Sequence, residues 1–232
     1  MPMDLSVAEK LLLLCQSPDK NGLSVPGFHL PYGIIASLMT DLAYSGHISE
    51  KERKVVIVNK NPDKASVLSD ITETIRESQK RRSMKSWVQR LAMSSGRFRR
   101  AIQDELERKG LLRIERKKFL GIISYRKTWL RGHKTQKSLV NTLAGAVRHP
   151  DLALPPSDLR LLGIVLVCQL HETLGLDSAK DQESLDSATY RILSEDSTMR
   201  SLAQIINETD MATGQIPSTV NQAAFYQLNS SS

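Results

Sequence analysis

LERKGLLRIERKKFLGIISY, running from Leu106 to Tyr125, decides the fold. It opens on the last turn of a helix, because Phe98, Ile102 and Leu106 recur every four residues along one helical face. Gly110 then supplies the left-handed residue at which helices commonly stop. Beyond it Leu112, Ile114, Phe119, Ile122 and Tyr125 are interleaved with charge and Gly121 supplies a turn, which predicts a hairpin over 111–125. The expected architecture is therefore mainly α: a single globular helical domain with a β-hairpin projecting after a central helix pair.

Working outward, the first helix of that pair carries Met84, Trp87, Val88 and Leu91, and Ser94-Ser95-Gly96 separates it from the second. The offsets put Trp87 and Phe98 on buried stripes, so both are expected in the core. Upstream, Val67, Leu68, Ile71 and Ile75 mark a helix, and Lys54 to Val58 a strand ended by Asn61-Pro62. Pro31 starts a further helix through Ile34, Ile35, Leu38, Met39 and Leu42, closed by Gly46. Ser6 and Glu9 have the spacing of a capping box ahead of a leucine run. Downstream, helices are expected at Leu139 to Val147, Leu159 to Leu170 and Leu185 to Ile206. From Asn207 the chain turns polar, giving a domain over 1–206 and a flexible tail over 207–232.

With 232 residues, 40% hydrophobic content and a mean hydropathy of −0.28, the composition suits a globular chain rather than a disordered or integral membrane one. Its formal charge of +7 is unevenly spread. Arg76 to Lys118 holds fifteen basic and five acidic residues, whereas Ser157 onward holds ten acids and four bases. A basic middle of this kind faces a polyanion, either nucleic acid or an anionic lipid surface. Cys15 and Cys168 lie in apolar runs and are expected as buried free thiols, which suits a reducing, cytoplasmic setting. The opening residues do not read as a secretory leader, and the longest apolar stretch, Leu161 to Cys168, is far short of a membrane span.

Catalytic signatures do not emerge. His29, His47, His133, His149 and His171 share no metal-binding spacing with one another or with the cysteines. The chain has no nucleophile elbow, phosphate loop or dinucleotide fingerprint. The expectation is a binding protein with no catalytic residues, no metal and no cofactor.

Arg97, Arg99 and Arg100 open a helix, where backbone amides and the dipole already favour anions, and they are the candidate headgroup-binding residues. Lys117, Lys118, Phe119 and Leu120 form a basic hairpin with an apolar tip, suited to membrane contact or self-association. The same order of helix, helix and hairpin also describes a winged-helix DNA-binding domain, with Arg97 to Lys109 as recognition helix. Asp104, Glu105 and Glu107 speak against that alternative, since phosphates repel carboxylates.

Five stretches resemble the Golgi phosphoprotein 3 family: Ala8 to Leu14, Leu42 to Ile48, Lys85 to Val88, Leu106 to Leu112 running into Lys118-Phe119-Leu120, and Asp158 to Leu162. The resemblance covers roughly Leu5 to Ile206 and points to a divergent, prokaryotic-type member. It implies a peripheral membrane protein that binds phosphatidylinositol 4-phosphate, self-associates through the hairpin, carries protein cargo and, in a eukaryote, sits on the cytosolic face of the Golgi. Residue by residue, Arg99 matches one of the family's two pocket arginines and Gly96 stands at the other. The family's tryptophan falls near Pro26 and its helix arginine at Ile35.

Overall fold

Ser6 and Glu9 close a capping box. The Glu9 amide donates to Ser6 Oγ at 3.2 Å, and the Ser6 amide donates to Glu9 Oε2 at 2.8 Å, so two helix-end donors are satisfied reciprocally. The helix they start, α1 (Val7–Cys15), belongs to a computed structural model that describes residues 4–25, 28–59, 66–119, 123–176 and 179–215. Its leucines Leu11 to Leu14 are all buried, because α2 (Leu30–Tyr44), α5 (Ser95–Arg108), α6 (His133–Arg148) and α7 (Pro156–Val167) pack around it. A helix apolar on every side is stable only when enclosed in this way.

The remaining helices among the described residues are α3 (Val67–Arg76), α4 (Met84–Ala92), α8 (Ala179–Glu195) and α9 (Ser197–Thr213), with one 3-10 turn at His171–Leu174. Two antiparallel hairpins, β1 (Ile48–Lys51) with β2 (Lys54–Ile57) and β3 (Leu112–Phe119) with β4 (Ile123–Leu130), complete a mainly helical fold. Trp87 and Phe98 are core residues, as their spacing requires.

Four details differ from the sequence expectation. The β3–β4 ladder runs to Leu130 rather than Tyr125, since Leu112 pairs with Leu130 and Ile114 with Thr128, burying an apolar face against α5. Strand β1 was not anticipated, because its turn uses Glu52 and Arg53 at φ 50° and 58° where Asn-Gly is the usual signal. The single helix expected over 185–206 is two, broken at Asp196, whose carboxylate accepts from the Thr198 and Met199 amides and so caps α9. Finally, α9 continues past Ile206 to Thr213 with Asn207 and Asp210 buried, so the ordered domain extends beyond the expected boundary. Residues 216–232, the rest of the expected tail, lie outside the described residues, as does the Asn61-Pro62 turn.

Side-chain contacts fix which helix ends lie together. Asp41, near the end of α2, accepts from the Val7 and Ala8 amides at 2.8 and 3.0 Å. Burial holds its carboxyl above the ordinary value even so. Lys109 lies 2.7 Å from Glu9, and Lys10 lies 2.6 Å from Asp158. The start of α1 is therefore gathered with the ends of α2 and α5 and the start of α7. At the opposite end, His29 Nε2 lies 2.6 Å from Asp210 Oδ1, and Gln169 donates to the other oxygen of Asp210 at 3.3 Å. This joins the start of α2 to the ends of α7 and α9. The end of α1 is held here too, by Gln136, whose amide donates to the carbonyls of Leu13 and Gln16 at 2.8 and 2.7 Å, in the last turn where helix carbonyls lack their regular partners.

Candidate anion-binding site

At the end of the bundle where α1 finishes, α5 begins. Its first turn contains no acidic residue, and Ser94 makes no side-chain cap, so the positive end of the helix dipole is left uncompensated by protein. Arg99 and Arg100 project from the first two turns into an open cleft of about 640 Å3. Its remaining wall is made by Gln103 of α5, the Gly22-Leu23 loop, and Arg116, Tyr125, Arg126 and Thr128 of the hairpin. The Gly22 amide donates to the Thr128 carbonyl at 2.9 Å, which ties the loop to β4.

Four arginines thus share one cleft, and they divide into two pairs. Arg116 and Arg126 are held by helix carboxylates: both lie 2.8 Å from Asp104 Oδ1, and Arg116 also lies 2.8 Å from Glu107 Oε2. The hydrogen bond from Arg116, with a further one from the Ile114 amide, keeps the Glu107 carboxyl below the usual carboxylate range, and the same contact raises Arg116. Arg99 and Arg100 have no carboxylate partner among the described residues. Two guanidiniums lining one cleft can bind a phosphate by charge-assisted, bidentate hydrogen bonds.

Arg97 stands apart from its two neighbours. Its guanidinium lies over the Phe98 ring at 4.5 Å and reaches Thr74 of α3 at 3.5 Å, and it does not line the cleft. Lys117 is exposed on the hairpin, 3.6 Å from Glu115. Lys118 and Phe119 end β3 opposite Ser124 and Ile123. Their side chains, and Leu120 entirely, lie outside the described residues. Arg126, Gln103 and Tyr125 were not anticipated at this site. The signal for Arg126 was present, since the hairpin register sets it opposite Arg116, which precedes Lys117 and Lys118 in the basic run.

Residues 7–209 match the family model described as Golgi phosphoprotein 3 (GPP34). The chain belongs to the Golgi phosphoprotein 3 family. No curated protein matches it in a sequence search. Among the described residues of this Golgi phosphoprotein 3 chain no helix is long and apolar enough to cross a membrane, and no group of side chains could hold a metal ion. Of the positions compared with the family above, Arg99 lines the cleft, Gly96 meets open space and Ile35 is buried in the core of α2. Pro26 lies outside the described residues.

Proposed function

We propose that the protein is a peripheral membrane adaptor that docks on anionic phospholipid headgroups through Arg99 and Arg100, with Arg97 and the basic hairpin adding charge around them. It works by binding rather than catalysis and carries a protein cargo. The observation that supports this reading is the cleft itself: two arginines without carboxylate partners among the described residues, beside two more arginines already fixed in place. A headgroup phosphate docked there gains charge-assisted hydrogen bonds without first breaking an ion pair. Membership of the Golgi phosphoprotein 3 family supports the same direction.

Gly96 and Ile35 offer no guanidinium to a second phosphate. The preference for phosphatidylinositol 4-phosphate over another lipid of equal charge is accordingly less than roughly tenfold, or about 1.4 kcal/mol. The experiment is cosedimentation with vesicles of phosphatidylcholine and phosphatidylserine in equal parts, alongside binding to duplex DNA at matched salt. Wild type sediments with the vesicles, binding falls as salt rises, and Arg99→Glu with Arg100→Glu abolishes it while the fold is retained. A DNA shift without vesicle binding decides for the winged-helix alternative. At the hairpin tip, Leu120→Asp separates insertion, which weakens vesicle binding, from self-association, which lowers the solution mass.

A further inference from the structure

The end of the bundle that holds the basic cleft also carries large apolar side chains in water. Phe28 is 42% exposed, Met93 92% and Met211 65%. They come from three separate segments, and the contacts of the fold bring those segments together. Phe28 precedes His29, its ring edge-on to the imidazole at 5.6 Å, and His29 is bound to Asp210, the residue before Met211. Lys85 and Gln89 of α4 reach Glu208 of α9 at 2.7 and 3.3 Å, while Ser83 and Met84 line a cleft with Ser197 to Gln204. The two helices therefore run parallel, and the residue one turn beyond Gln89, Met93, arrives beside the end of α9. The start of α4 lies at the far end of the bundle, since the carbonyl of Arg82 accepts from Val55 of β2 at 2.9 Å. Met93 thus sits at the same end as the start of α2, two residues before α5 begins.

Single exposed apolar residues are ordinary; three from separate segments at one end mark an interaction surface. The charge around them says what kind. Arg90 is exposed in the last turn of α4 before Met93, and exposed Arg97 stands in the first turn of α5, followed by the Arg99 and Arg100 of the cleft. Of the acids near the end of α9, Glu208 is engaged by Lys85 and Gln89, and Asp210 by His29 and Gln169. An apolar centre with a cationic rim matches the layered chemistry of an anionic bilayer, phosphate outside and acyl chain within. Methionine, unbranched and polarizable, suits an irregular environment of that kind.

We infer that Phe28, Met93 and Met211 form an apolar wedge that enters the acyl boundary of an anionic membrane while Arg90, Arg97, Arg99 and Arg100 meet its phosphates. This rests on the membrane-docking reading above and adds a second, salt-independent contribution on a surface distinct from the hairpin tip.

The test exploits the two native thiols, which are buried and so leave an introduced one as the reactive site. Met93→Cys, and separately Met211→Cys, is labelled with an environment-sensitive fluorophore and mixed with vesicles of phosphatidylcholine and phosphatidylserine in equal parts. The emission shifts to the blue, and nitroxide-bearing acyl chains quench it. In the unlabelled chain, Phe28→Ser and Met211→Ser each weaken vesicle binding about tenfold, the lower end of what burying one such side chain contributes, with an unchanged salt slope. If the chain sediments with vesicles but both labels stay in water, the wedge is wrong and the docking reading stands. If the labels are shielded before vesicles are added, residues 216–232 or a second copy cover the patch, and the wedge is wrong. If the unlabelled chain binds no vesicles, both readings fall.

Discussion

Arg116 and Arg126 stand directly opposite each other in the β3–β4 ladder, and both guanidiniums close on the same oxygen of Asp104 at 2.8 Å. Like charges facing across an antiparallel pair are destabilising by themselves. Asp104 offsets that repulsion, and Glu107, one turn on, takes a second bond from Arg116. Two of the three carboxylates that make α5 a poor recognition helix for DNA, Asp104 and Glu107, fasten the hairpin to it. Arg99 and Arg100 are left facing the cleft.

Asp104→Asn removes the shared charge and leaves the cleft one unit more positive. Since one basic charge near an anionic surface contributes about 1 kcal/mol, vesicle affinity rises roughly fivefold. The hairpin loosens at the same time, and amide exchange at Arg126 and Thr128 quickens. Cosedimentation and exchange mass spectrometry read the two effects separately.

Glu107 titrates below the ordinary glutamate value of about 4.3. With the folded-state value depressed, its contribution to stability is present above that ordinary value and is lost as pH falls through the folded one. Carbon-13 shifts of the side-chain carboxyl follow the titration. Arg116→Gln moves it back up, and an unchanged midpoint in that variant would show that Arg116 is not the cause.

Much of this was legible in the sequence, and the parts that were not share a physical reason. Ser6 and Glu9, the leucines of α1, and Gly110 act within a few residues of themselves, so spacing alone reveals them. The separation of Arg97 from Arg99 and Arg100 was invisible, because it depends on Phe98 and Thr74 drawing one side chain away. The extension of α9 to Thr213 was hidden for the same reason: Asp210 reads as a solvated charge until His29, 181 residues earlier, is placed against it. The turn at Glu52 and Arg53 misled in the opposite sense, since neither residue advertises a left-handed backbone.

His29→Ala leaves the Asp210 carboxylate buried with Gln169 as its remaining partner in the described structure. Leaving a buried acceptor without one of its hydrogen-bond partners costs about 1–3 kcal/mol, so the urea midpoint drops below that of wild type. His29→Asn, which can still donate, recovers part of the loss.

Two glycines respond in opposite directions to alanine. At Gly163 a Cβ meets Met199 Sδ at 3.0 Å and Ile192 Cγ2 at 3.1 Å, where α7 packs on α8 and α9, and overpacking there costs about 1–3 kcal/mol. At Gly96 a Cβ meets open space, and the change stabilises α5 by up to about 1 kcal/mol. Thermal melts of the two variants bracket wild type, and Gly96→Ala leaves vesicle binding intact.

The enclosure of α1 also dictates the order of events when the chain is made. Its leucines leave the ribosome well before their cover, since Gln136, which closes its end, is 123 residues from Leu13, and Asp158 is 148 residues from Lys10. At ordinary rates of synthesis those partners arrive on the order of ten seconds later. Throughout that interval the four leucines of α1 have no complete cover, because α6 and α7, which pack on it, have not yet been made. Nascent chains of this protein are therefore clients for holding chaperones until α7 has emerged, and the fold closes late and as a whole.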